Sequence, residues 1–172
     1  MQRQARAPET QPFGVEAFEA SDGTVLRWLS MAGFLTNSGG ITVMIDPLLG
    51  GFDMPVMIEF PIVADDVPKL DAVLGTHSDN DHYSVPTCGD LARVTGEYHS
   101  TQYVASLMKE QGLPAYGHDI GEQFAIGPVR RRSSWSLAIL INFSGPPRAP
   151  TPSETWQNWS PNAHLGACTT LG

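Results

Sequence analysis

The sequence is poor in the side chains that grip polyanions. Only 10 of its 172 residues are Lys or Arg, against 18 Asp or Glu, for a formal net charge of −8 at pH 7. Affinity for nucleic acid comes from clustered basic side chains, so nucleic acid is not an expected partner. No apolar run approaches the length of a membrane span, and none is expected. The opening MQRQARAPETQPFG has arginines but no apolar stretch, so it reads as a loose N-terminal arm and not a secretory signal. Cysteine is scarce as well. Cys88 and Cys168 lie far apart and form no metal-ligand spacing, which suits reduced thiols in a cytoplasmic protein.

What is present suffices for one domain, because 41% of the residues are apolar. Charge divides it unevenly. Seventeen of the 18 acidic residues precede Arg130, while the stretch 130–172 holds the run Arg130-Arg131-Arg132, three of four tryptophans and five of 14 prolines. These shifts predict an arm over 1–22, a folded unit over 23–129 and a divergent, poorly ordered tail over 130–172.

From Gly23 onward the pattern is β-like. TVLRWLSMAGFLTNSGGITVMIDP holds two β-rich runs around Asn37-Ser38-Gly39-Gly40, residues that tolerate the positive φ of a hairpin turn. ITVMI is apolar throughout, as in a strand covered on both faces, and it ends at Asp46-Pro47. Residues 48–70 read as a loop with one short turn. Asp71–Thr76 reads as a second buried strand, followed by a short helix around Gly89–Arg93. Ser100 is the expected cap of a helix over STQYVASLMKEQG, stopped by Gly112, and GEQFAIGPV is a further strand. Strands and helices alternate in the α/β manner. Beyond Val129, Leu137–Phe143 is a candidate strand and SGPPRAPTPS a Pro-rich linker.

The most informative stretch is LGTHSDNDHYS, which follows the second buried strand and carries His77, Asp79, Asp81 and His82. Imidazole and carboxylate together suit Zn²⁺ and also accept Mn²⁺ or Fe²⁺. Two such ions would polarise a substrate oxygen and give a hydroxide at neutral pH, but these four residues cannot complete two sites. The plain alternative is a solvated loop, since His, Ser, Asp and Asn are ordinary turn formers. Asp46 ends the other apolar strand, and in open α/β sheets ligands gather at strand C-terminal ends.

These pieces, WLSMAGFLTNSGGITVMIDP, DAVLGTHSDNDHYS and a helix followed by GEQFAIGPV, resemble the N-terminal half of the metallo-β-lactamase fold hydrolases. The likeness is closest to the branch of ascorbate-6-phosphate lactonase and N-acyl phosphatidylethanolamine phospholipase. It runs from Val25 to Val129, about three fifths of the chain. It implies half of an αββα sandwich, mostly β-sheet with a flanking helix and an irregular C-terminal tail. Through the signature His-x-His-x-Asp-His it makes His77 a ligand of one metal and Asp81 and His82 ligands of a second. Asp81 is also the candidate catalytic carboxylate, and Asp46 orients the site from behind the ligands. Asp79 stands where the family has its second histidine and keeps a donor there.

The resemblance stops after Val129. The family brings a third-motif histidine, a bridging aspartate and a final histidine, whereas this chain has no histidine between His118 and His164 and no aspartate after Asp119. A reading-frame change or a foreign C-terminus would give such a tail. The expected function is therefore a metal-dependent hydrolase acting through a metal-bound hydroxide on an ester, lactone or phosphodiester, in a truncated form that is weakly active or inactive. The alternative is a non-catalytic half-fold with a metal-binding, structural or interaction role. A small-molecule substrate and self-association through an uncovered sheet face are further expectations. His99 and His118 read as surface or structural residues, His164 as a poor substitute ligand, Cys88 as a small buried thiol and Arg130–Arg132 as a solvated charge run.

Overall fold

The computed structural model describes residues 9–127, 129–133 and 139–141. Six strands form the first sheet, in the order of the chain: β1 (Thr24–Ser30), β2 (Gly33–Ser38), β3 (Ile41–Ile45), β4 (Leu70–Leu74), β5 (Thr95–Thr101) and β6 (Ala115–His118). β1, β2 and β3 are an antiparallel meander, and β3 to β6 run parallel. Two helices serve the parallel crossovers, α1 (Val85–Leu91) and α2 (Gln102–Glu110). A second sheet of three antiparallel strands follows: β7 (Gln123–Ile126), β8 (Val129–Ser133) and β9 (Ile139–Ile141).

Alternation along the central strands explains the layering. Met44, Val73 and Tyr98 point to one face, where Cys88 and Leu91 of α1 and Val104, Ala105 and Met108 of α2 cover them. Val43, Ala72 and Leu74 point to the other face and pack against Ile126 and Phe124 of β7. A strand covered on both faces can carry apolar side chains on both, which is why the residues of ITVMI other than Thr42 are all apolar. Each fully buried Leu or Met contributes roughly 1.5–3 kcal/mol of burial. The result is a mixed α/β fold, helices on one face of a six-stranded sheet and a second sheet on the other, consistent with part of an αββα sandwich of metallo-β-lactamase type.

Several boundaries differ from expectation. The run from Thr24 to Ser38 is two strands, not one, because the chain reverses at Met31 with φ +45. The expected hairpin after it closes through Gly39 and Gly40, at φ +60 and +90. Thr101, not Ser100, caps α2. Its side chain accepts from Val104 N, while Ser100 ends up buried in β5 and donates to Gly75 O at 2.7 Å. The short helix starts earlier, at Val85, because Ser84 caps it and Pro86 fits its first turn. β5 and β6 have no clean period and lie outside the strands expected from sequence.

The described part of the arm is tied down. Thr10 Oγ1 donates to Glu59 O at 2.7 Å, Phe13 N donates to Pro61 O at 3.1 Å, and a short 3-10 turn at Val15–Phe18 buries Ala17. Backbone pairing also carries regular structure past Val129, since β8 pairs with β7 and β9 falls within the Leu137–Phe143 segment. The remainder of 130–172 lies outside the described residues.

Candidate metal centre

The parallel register sets the site. Ile45 pairs with Leu74, so β3 and β4 end level with each other, and Asp46 N extends the ladder to Leu74 O at 2.8 Å. Asp46 then turns into the left-handed region with φ +43, a conformation an aspartate tolerates better than most residues. That turn aims its carboxylate across at the chain leaving β4. Gly75 follows β4 and leaves room for α2, since a Cβ there would stand 3.1 Å from Met108 Cε.

Asp46 is buried and fully engaged. Thr76 N donates to its Oδ1 at 2.7 Å, and Thr76 Oγ1 donates to its Oδ2 at 2.7 Å. His82 Nδ1 lies 2.8 Å from the same Oδ2. His82 returns to this point because its own N–H and that of Tyr83 both donate to Asp79 O, at 2.9 and 2.8 Å, closing a tight turn. The rings of His77 and His82 then lie 3.7 Å apart, centroid to centroid.

The outer nitrogens complete the picture. His77 Nε2 is 3.3 Å from Asp79 Oδ2, and His82 Nε2 is 3.6 Å from Asp81 Oδ2. Asp46, His77, Asp79, Asp81 and His82 are thus gathered at the C-terminal ends of the central strands β3 and β4, with Asp46 behind the loop and the two His–Asp pairs in front. Thr76 is a member of this network that no ligand motif marks. Its place directly before His77 at a strand exit was the available signal. Asn80 Nδ2 also donates to Asp53 Oδ1 at 2.9 Å, which joins the histidine loop to the loop after β3.

Donor chemistry fits a divalent ion in pairs. Two ligands about 2.1 Å from one tetrahedral ion stand about 3.4 Å from each other, close to both His–Asp separations. Donor number does not complete a site. Among the described residues no group of three or more His, Cys, Asp or Glu side chains is arranged to hold a metal.

The other candidates fall elsewhere. His99 is buried and His118 half-buried with its ring packed inward: His99 Nδ1 and His118 Nε2 are 2.8 Å apart, and Phe124 stacks on both rings. Glu97 lies 3.2 Å from His99 and Glu122 3.3 Å from His118. The Asp119 N–H, helped by His118, holds the Glu122 carboxyl below its ordinary value. Cys88 is a buried thiol, and that burial, with the Asp46 charge adding, pushes it up to about 12. His164 and the side chains of Arg130–Arg132 lie outside the described residues. A cavity of about 510 Å³ opens between the arm and β1, and one of about 350 Å³ beside Gly50 and Thr87. Neither is lined by a residue of the histidine loop. No helix among the described residues is long and apolar enough to cross a membrane.

No protein-family model and no curated protein sequence matches the chain. Solved structures do. A possible metal-dependent hydrolase from Veillonella parvula matches with a TM-score of 0.54 at 20% identity, over 65% of this chain and 47% of that one. CmlA, a diiron β-hydroxylase from Streptomyces venezuelae, matches at 0.54 and 18% identity, over 66% of this chain and 24% of that one. An isothiocyanate hydrolase from Delia radicum gut bacteria matches at 0.50 and 20% identity, over 62% and 46%. At such identities the likeness is one of fold alone. The chain spans between 24% and 47% of the length of these structures.

Proposed function

We propose that this chain acts as a non-catalytic half-fold whose histidine loop takes up a divalent ion weakly. The observation that carries this reading is the pairing of donors. His77 with Asp79 and Asp81 with His82 each offer two donors at a separation that suits one ion, and no third described donor joins either pair. An ion held by two protein ligands keeps most of its water, so its affinity falls far below that of a four-ligand site. Zinc is the expected ion, with manganese or iron as substitutes.

A second reading is a hydrolase of small-molecule esters, lactones or phosphodiesters, related to the lactonase-like branch. Its support is the shared fold with solved structures named as hydrolases. It requires donors from outside the described residues, or from a second chain, to complete the two pairs. Assays of the purified chain with phosphodiester and lactone test substrates, supplemented with Zn²⁺, Mn²⁺ or Fe²⁺, separate the two. Negligible turnover is expected. Turnover that disappears in His77→Ala would favour the hydrolase instead.

A further inference from the structure

Thr76 has one hydroxyl proton and several neighbours that compete for it. Its Oγ1 lies 2.7 Å from Asp46 Oδ2, 3.0 Å from His77 Nδ1 and 3.3 Å from His82 Nδ1. A carboxylate only accepts, so the hydroxyl proton belongs to the short contact with Asp46. Towards His77 the same oxygen must then act as acceptor, and that contact needs the His77 proton on Nδ1. A neutral imidazole carries one proton, which leaves His77 Nε2 with a bare lone pair. Asp46 does the same directly for His82, whose Nδ1 is 2.8 Å from Oδ2. Both outer nitrogens become acceptors, and each faces a carboxylate oxygen, at 3.3 Å for His77 and 3.6 Å for His82. Two acceptors face to face repel unless a second imidazole proton or a metal cation lies between them.

We propose that Thr76 is a positioning residue that relays the Asp46 carboxylate to His77, fixing its Nδ1–H tautomer and presenting Nε2 as a cation donor. The inference rests on the metal-binding reading of the loop for its purpose, but its geometry stands without a metal. One buried carboxylate thereby sets both histidines, His82 by contact and His77 through the hydroxyl. Partners behind metal-binding histidines of this kind are generally worth about 10–100-fold in metal affinity.

The test compares the wild-type chain with Thr76→Val, which removes the hydroxyl at nearly constant shape, and Thr76→Ser, which restores it. Both keep the backbone N–H that donates to Asp46 Oδ1. In metal-free protein, the ¹⁵N resonances of His77 should report the Nδ1–H tautomer in wild type and Thr76→Ser. In Thr76→Val the population should shift towards Nε2–H, a change that a merely structural role would not produce. Zinc titration of the same proteins should show affinity lowered about tenfold or more in Thr76→Val and retained in Thr76→Ser. An Nε2–H tautomer in wild type, or the same tautomer populations in Thr76→Val, overturns the proposal. Wild-type protein that takes up no zinc while the tautomer shift occurs would overturn the metal-binding reading and leave the relay in place.

Discussion

The Asp46 carboxylate and the His82 imidazole meet at 2.8 Å although 36 positions separate them in the chain. The contact exists because β3 and β4 end level in a parallel pair and because Asp46 adopts a left-handed backbone that swings its side chain over the gap. Asp46 therefore joins the sheet to the loop, whose start is also held where Gly75 N donates to His99 O at 2.9 Å and Ser100 Oγ donates to Gly75 O at 2.7 Å.

Replacing that carboxylate should loosen the loop. Asp46→Asn keeps the backbone preference but puts an NH₂ where one of three donors now points. It should destabilise the fold by about 1–3 kcal/mol, the cost of a buried donor left facing another donor. Urea unfolding checks this: the midpoint should fall with the slope unchanged. An unchanged midpoint would mean that the network contributes nothing to the fold.

How far the sequence could be read follows from what each segment relied on. Gly39-Gly40 and the apolar ITVMI announced a hairpin and a doubly covered strand because turn geometry and burial are local demands. Asp46 and the loop His77–His82 stood out because both follow such strands. β5 escaped notice because TGEYHST mixes polar residues into a strand whose burial comes from neighbours on both sides, a tertiary effect without a local period. Ser100 looks like a cap in sequence for the same reason: its hydroxyl donates to a distant carbonyl, Gly75 O, and the cap belongs to the next residue. The Thr76 hydroxyl was overlooked because ligand patterns show donors to a metal and not the residues behind them.

Stability should fall on the alkaline side. Burial raises the Cys88 thiol from 9.0 to about 12, and the Tyr83 and Tyr98 phenols from 10.0 to about 12. Each is neutral when protonated, so above pH 9 the unfolded chain releases protons that the folded chain retains. The stabilisation is complete below about pH 9 and is lost as pH rises towards 12, with a limiting slope of about 1.4 kcal/mol per pH unit for each group. Urea midpoints measured at pH 7, 9 and 10.5 should be level at first and then fall. A midpoint that rises across that range would refute the assignment.

Tyr83 offers a substitution in the opposite direction. Its hydroxyl is buried and has no hydrogen-bond partner among the described residues. Tyr83→Phe removes that unmet polar group while keeping the ring in the core, so it should be neutral or stabilising by up to about 1 kcal/mol. Thermal unfolding of the two proteins side by side measures it. A clear loss of stability would show that the hydroxyl has a partner beyond those residues.

Metal titration of the purified 172-residue chain, followed by metal analysis after dialysis, tests the central claim most directly. Two donor pairs without third ligands among the described residues should bind at most about one divalent ion, weakly, with little retained after dialysis, and His77→Ala or His82→Ala should reduce even that. Two tightly held ions per chain that survive dialysis would contradict the account and show that other residues complete both sites.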